Sequence, residues 1–292
     1  MKRKTRVAAA ICAALVLGGV CLPLTASAEK ISTWERDIPD IRCSAYERIS
    51  VRVKDRAVGG YLIDGTTYIA LRAFAEAQGV TGISYDAATR TATVKATGLA
   101  LSVRDGEHLL RVNGRCFYMD MPARILGDGS FYLPVRPLAR AFGASVEWNA
   151  ASRSVRVGGK TTFPESGDSY YDAGTLYWLS RIISAESRGE PFLGQVAVGN
   201  VILNRVRDPA YPDSVYGVIF DRKYGTQFTP SVNGTIYNTP TASAVEAAKV
   251  CLEGYSVSEK ILYFYEPAIA VSSWIGKNRP YAFRIGAHYF YY

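Results

Sequence analysis

Two stretches of this chain are copies of one another. Residues 64–94 read DGTTYIALRAFAEAQGVTGISYDAATRTATV and residues 128–157 read DGSFYLPVRPLARAFGASVEWNAASRSVRV. With one single-residue gap eleven positions are identical, among them Asp64/Asp128, Gly65/Gly129, Tyr68/Tyr132, Arg72/Arg136, Gly79/Gly143 and Arg90/Arg153. An internal period of this kind marks a repeated supersecondary unit. Within each copy, Asp-Gly makes a hairpin turn. Tyr-x-x-x-Arg then leads from a short strand into a helix with Leu71, Phe74 and Ala75, or Val135, Leu138, Ala139 and Phe142, on its apolar face. Gly79 or Gly143 stops that helix as the residue after its cap. A strand, a turn at Asp86-Ala87-Ala88 or Asn149-Ala150-Ala151, and a closing strand follow. Between the copies, residues 101–103, 109–112 and 116–119 predict further strands. The expectation for residues 50–158 is a small α+β domain built from a duplicated unit.

The flanks are of another kind. Lys2, Arg3, Lys4 and Arg6 precede an apolar run over 7–24, and Ala26-Ser27-Ala28 has the form of an export-signal cleavage site. Residues 1–28 therefore read as a signal peptide and 29–49 as an N-terminal segment. No later run approaches the ~20 apolar residues that cross a bilayer, so the expectation is a secreted chain without a transmembrane segment. The leader holds four of the 34 basic residues and no acid, which leaves 30 bases against 26 acids. That balance is a mild bias toward anionic surfaces such as a bacterial wall, and ordinary solubility accounts for it as well. No basic run interleaved with aromatics suggests a nucleic-acid partner.

Past the leader, Cys43, Cys116 and Cys251 remain, far apart and without metal-like spacing. Export permits a disulfide, and Cys43–Cys116 could form one, but an odd count without pattern favours buried thiols. The only histidines are His108 and His288. Zinc hydrolases commonly use two or three, which argues against a zinc amidase or peptidase, and no G-x-S-x-G supports a serine nucleophile. No cofactor or metal is implied.

Residues 159–172, with Gly159, Pro164, Ser166, Gly167 and Ser169 and no apolar period, read as a linker. From 173 the pattern is helical. Asp172 can cap a helix whose Leu176, Leu179 and Ile183 fall at i, i+3 and i+7. That helix ends near Glu186, Arg188-Gly189 breaks it, and Pro191 opens the next. Residues 195–205 are apolar almost all round, as a buried central helix requires. A third helix is expected from Thr239-Pro240 to before Gly254. Residues 261–292 are dense in aromatics and read as extended or irregular.

The paired DG…Y…R…G…(D/N)-x-x-(T/S)-R pattern over 50–158 resembles the copper amine oxidase N-terminal-like (stalk) domain of exported wall-associated proteins. This implies no copper, since the only local His is His108, and favours a spacer over a ligand-binding module. The stretch RIISAESRGEPFLGQVAVGNVILNR (181–205) resembles the opening motif of the SleB-type cell wall hydrolases, the spore cortex-lytic family. Gly225-Thr226-Gln227-Phe228, Asn233-Gly234, Leu262-Tyr263-Phe264-Tyr265-Glu266-Pro267 and Arg284-Ile285-Gly286-Ala287-His288-Tyr289 fit in order, so the resemblance runs over 173–292. Glu266 departs from it, because an amide is common there.

This second resemblance implies a mostly α, lysozyme-like domain that cleaves peptidoglycan glycan strands, many members being lytic transglycosylases. It maps the single acid–base glutamate onto Glu186. Physically, a carboxyl that must donate a proton near neutrality needs desolvation to raise its pKa. The end of an apolar helix beside a buried one supplies that setting. A hydrolase would want a second carboxylate, and Glu190, Asp221 and Glu266 are candidates that nothing in the sequence separates. Gln195, Gln227, Phe228, Tyr263, Tyr265 and Trp274 are expected to touch sugar, each with core packing as its rival reading. Glu190 and His288 read as structural, and Asn204 is as open to satisfying backbone groups as to touching sugar. The expected partner is peptidoglycan, in cortex or wall, with an accessory spore protein as a further one. The rival from another class is a non-catalytic wall-binding or spore-assembly protein.

Overall fold

The computed structural model describes residues 46–223, 225–268, 270 and 274–292. The expected leader, most of the 29–49 segment and Cys43 lie outside the described residues. The chain opens with β1 (Glu47–Val53) and the two-residue β2 (Arg56–Ala57). The first copy follows as β3 (Gly60–Ile63), β4 (Thr66–Ala70), α1 (Leu71–Ala77), β5 (Gly82–Asp86) and β6 (Thr91–Ala96). Three strands lead on: β7 (Leu99–Arg104), β8 (Leu109–Val112) and β9 (Arg115–Tyr118). The second copy is β10 (Arg124–Ile125), β11 (Phe131–Pro134), α2 (Val135–Ala141), β12 (Ser145–Asn149) and β13 (Ser154–Gly158).

The two copies agree locally. In each, a strand passes straight into a seven-residue helix, and the glycine after the cap takes a positive φ, +87° at Gly79 and +63° at Gly143. Asp86 Oδ1 accepts from Ala88 N and Asn149 Oδ1 from Ser152 N, so the same turn is braced by a different side chain. They part company in the sheets. β5 and β6 begin a five-stranded antiparallel meander, β5-β6-β7-β8-β9. β12 and β13 instead join the larger sheet, ordered β10-β11-β4-β3-β1-β13-β12 with β2 on β1. There β13 runs parallel to β1, with Val51 opposite Val155 and Val53 opposite Val157. α1 and α2 bury Phe74 and Phe142 edge to face at 5.1 Å, in one core with both sheets.

The stretch expected to be a linker is tied to the first domain. Phe163 packs on Phe142 at 5.8 Å, Thr162 N donates to Phe142 O, and Gly167 N donates to Asn113 O. A short helix, α3 (Gly167–Tyr170), sits within it.

Beyond it lie α4 (Ala173–Ser187) and α5 (Phe192–Arg207). Asp172 Oδ1 accepts from Thr175 N at 2.7 Å and so caps α4 as expected. α5 buries Val196, Ala197, Val198, Val201 and Ile202 against α4 and α8. The connection onward contains α6 (Val215–Phe220), α7 (Pro230–Asn233) and a 3-10 turn (Thr235–Tyr237). α8 (Ala242–Leu252) starts later than expected, because Thr241 is its cap. The aromatic-rich end is β14 (Tyr263–Tyr265), α9 (Trp274–Asn278), β15 (Tyr281–Ile285) and β16 (His288–Tyr291), with the strands in an antiparallel sheet ordered β14-β16-β15. This end, expected as extended or irregular, is thus a short sheet and a helix beside the helices of the region. Among the described residues no helix is long and apolar enough to cross a membrane.

The two regions meet through charge. Arg115 grips Glu253 with two hydrogen bonds, 2.7 and 2.8 Å, and Arg140 Nη2 and Tyr171 OH add two more at 2.6 and 2.7 Å. The Glu253 side chain is 1% exposed. Nearby, Arg111 holds Glu246 at 2.6 and 3.1 Å, and Tyr118 of β9 packs on Tyr255 with ring centroids 4.3 Å apart. Cys116 and Cys251 are buried free thiols, and burial pushes the Cys116 thiol up to about 11.

Candidate active site

A cleft of about 1370 Å³ opens beside the end of α4. Arg181, Ser184, Ala185, Glu186 and Arg188 line it from that helix. Gln227, Phe228, Asn233, Thr235 and Asn238 come from the segment around α7, and Tyr263, Tyr265, Glu266, Trp274, Arg279 and His288 from the C-terminal sheet and α9.

Glu186 sits in the last turn of α4, half-buried. Desolvation of the carboxyl raises its pKa to about 7. The negative end of the helix dipole acts in the same direction. No hydrogen bond or ion pair to the carboxylate offsets this among the described residues. Four arginines line the cleft, at 181, 188, 205 and 279, with Asp221 and Glu266 the other carboxylates. Glu186 is thus held well above the usual carboxylate range in a groove of aromatics and fixed positive charge.

Five of the six residues expected to contact sugar lie on this cleft: Gln227, Phe228, Tyr263, Tyr265 and Trp274. Gln195 does not. It is buried in α5, its Nε2 donating to Glu190 O at 3.0 Å and its Oε1 accepting from Ser243 Oγ at 3.0 Å. Its amide holds the α4–α5 corner to α8, so it is a framework residue and the expectation of sugar contact is corrected. Glu190 is framework too, since Oε2 accepts from Ala287 N at 2.9 Å and fastens the β15–β16 turn to the start of α5. Asn204 donates to Ser258 O and Ile261 O, both at 2.9 Å.

Sequence reasoning missed the residue that organises the cleft wall. Arg205, at the buried end of α5, donates Nε to Leu262 O at 2.7 Å. Its guanidinium lies 5.0, 5.3 and 5.4 Å from the rings of Tyr211, Phe228 and Tyr263. Tyr211 OH in turn donates to Tyr263 OH at 2.9 Å. Burial lowers the Arg205 pKa, and the surrounding tyrosines and Asp221 counter it. An arginine ending an otherwise apolar helix was the available signal. Arg279, 4.6 Å from the Tyr263 ring and 5.3 Å from that of Trp274, had none. His288, read as structural, is buried on the cleft wall, and its desolvation lowers its pKa.

The Cell Wall Hydrolase family model matches residues 189–291. Residues 189–291 form a cell wall hydrolase domain. The match begins at Gly189, just past Glu186. Residues 52–157 match the copper amine oxidase N-terminal domain, so the two-domain organisation read from the repeat and the helical motifs holds. Curated relatives of the cell wall hydrolase domain include the spore cortex-lytic enzyme of Bacillus subtilis (strain 168), 44% identical over 112 residues, 38% of this chain and 35% of that protein. The spore cortex-lytic enzyme of Bacillus cereus is 40% identical over 120 residues, 41% of this chain and 45% of that protein. The chain thus spans between 35% and 45% of the length of these relatives. Among solved structures, the catalytic domain of the germination-specific lytic transglycosylase SleB from Bacillus anthracis is 39% identical, covering 42% of this chain and 97% of that one, with a TM-score of 0.38.

Proposed function

We propose that the chain is an exported enzyme that cleaves peptidoglycan glycan strands as a lytic transglycosylase, with Glu186 as its single acid–base group and spore cortex as its substrate. The observation that carries this reading is the carboxyl of Glu186, raised to about 7 by desolvation on a cleft of about 1370 Å³ lined by aromatic rings. Protonated, it gives its proton to the glycosidic oxygen as the bond to the anomeric carbon breaks. Left as a carboxylate, it takes the proton of the muramic acid C6 hydroxyl, whose oxygen closes onto that carbon. The products are a 1,6-anhydro end and a free hydroxyl, and Glu186 is protonated again. No water is consumed.

Gln227, Phe228, Tyr263, Tyr265 and Trp274 supply ring faces and hydrogen bonds to the sugars, and the cleft arginines attract acidic groups along the strand. On this proposal the first domain is a duplicated α+β unit serving as spacer, and the second is a lysozyme-like domain. A second reading, hydrolysis with water, is favoured by Asp221 and Glu266, which line the same cleft. The test is Glu186→Gln in the full mature chain on purified cortex and vegetative peptidoglycan, with mass spectrometry of products. The expected result is loss of fragment release in the variant and anhydro-muramic ends from the native protein. Retained cleavage by the variant overturns the assignment, and reducing ends with added water select the second reading.

A further inference from the structure

Beside Glu186, the cleft-lining residues Arg181, Ser184, Ala185 and Arg188 at the end of α4 are spaced three and four apart and share one helix face. One turn earlier, that face carries Tyr177 and Trp178. Trp178 is the hub of an aromatic group, with ring centroids 4.9 Å from Tyr177, 5.4 Å from Tyr216 and 6.1 Å from Tyr237. Phe220 backs it at 5.2 Å. The outer rings are not core: Tyr177 is 43% exposed, Tyr216 54% and Tyr237 60%. Two separate elements lead from the cleft onto this patch. On α4, Arg181 lines the cleft while its guanidinium lies 3.8 Å from the Tyr177 ring centroid. On the other side, Thr235 and Asn238 line the cleft and Tyr237 stands between them in sequence.

We propose that this patch is a glycan-binding platform, over which a long strand continues after leaving the cleft. The inference rests on the function proposed above and adds a site to it. Trp178 lies eight residues from Glu186, about 12 Å along the helix, so the platform is beyond the reacting bond yet on the same path. Aromatic faces stack on the apolar faces of pyranose rings, while tyrosine hydroxyls bond to sugar hydroxyls at the rim. The contacts to Trp178 and Phe220 hold the rings in place before a strand arrives, so little side-chain freedom is lost on binding.

The test compares the full mature chain with its Tyr216→Ala/Tyr237→Ala variant on two substrates: long glycan strands, and short oligosaccharides that fill the cleft alone. The expected result is a loss of roughly ten-fold in kcat/KM on long strands, about 1.4 kcal/mol, and no change on the short ones. Tyr216→Phe/Tyr237→Phe should recover most of the loss. Equal kinetics on both substrates overturn the platform and leave the patch to a protein partner. An equal loss on both also overturns it, by showing damage to the fold. If the native chain cleaves neither substrate, the proposed function fails, and co-sedimentation with insoluble peptidoglycan then decides the platform alone. Weaker pelleting of the alanine variant supports it, and equal pelleting overturns it.

Discussion

Glu186 joins acid strength to fold stability. On the proposed mechanism its carboxyl must be protonated to begin cleavage, and burial places that titration at about 7. The pH profile of kcat/KM should therefore fall above about 7, approaching ten-fold per pH unit. A profile flat from pH 6 to 9 would remove Glu186 as the proton donor. The same shift acts on stability. The folded state holds this proton more tightly than the unfolded state, whose carboxyl titrates near 4.5. Between 4.5 and about 7 the folded state binds more protons, so the contribution of Glu186 is greatest below 4.5 and declines as pH rises to 7. Glu186→Gln cannot ionise. It should be more stable than the native protein at pH 8, on the order of 3 kcal/mol, with the gap closing by pH 4. Urea unfolding at the two pH values measures this. Arg205 shows the opposite case, a buried charge kept by a backbone carbonyl and three rings.

Among the elements, α5 decides how closely its neighbours approach. At Gly199 an added Cβ would meet Cys251 Sγ at 2.7 Å and Ile183 Cδ1 at 2.8 Å, so α4 and α8 both press on bare backbone there. Gly199→Ala should destabilise the protein by roughly 1–3 kcal/mol through overpacking, despite the better helix propensity of alanine. A drop in thermal midpoint checks it, and an unchanged or raised midpoint would show that the helices can separate freely. Because α4 carries Glu186, that variant should also lose activity before it loses its fold. The same closeness explains the framework role of Gln195. Its amide sits where α5 meets α8, and a polar group buried there must be hydrogen-bonded within the protein.

At the scale of the whole molecule, Glu253 is the keystone between the two regions. It takes Arg115, Arg140 and Tyr171 with a side chain 1% exposed, while that of Arg115 is 10% exposed. Glu253→Ala would strand Arg115 and Tyr171 in the interface and should cost about 3–5 kcal/mol. It should also divide one calorimetric unfolding transition into two, because the stalk-like domain then loses its most buried hold on the end of α8, with Arg111–Glu246 and the Tyr118 ring contact left. A single transition in the variant would show that the aromatic contacts of Tyr118 suffice. The 159–172 stretch is likewise tied to the first domain, through Thr162 N to Phe142 O and Gly167 N to Asn113 O.

Periodicity and punctuation were local, and they were legible. The repeat, the Asp172 cap, the stop after Glu186 and the buried character of α5 follow from residue spacing, since each depends on neighbours within a turn or two. Distant pairings were not legible. β13 lies against β1 with about a hundred residues between them, and nothing local distinguishes that partner from β6. Gln195 and Gln227 are the same residue type in equally suggestive motifs, and only the packing of α8 made one framework and left the other on the cleft. The sequence by itself settled the helices and strands of the repeat, the long helices α4 and α5, and which carboxylate stands at a helix end. Tertiary structure alone decided which side chains share a cleft and how far water is kept from that carboxylate, because desolvation is a property of everything around a group and not of its place in the chain.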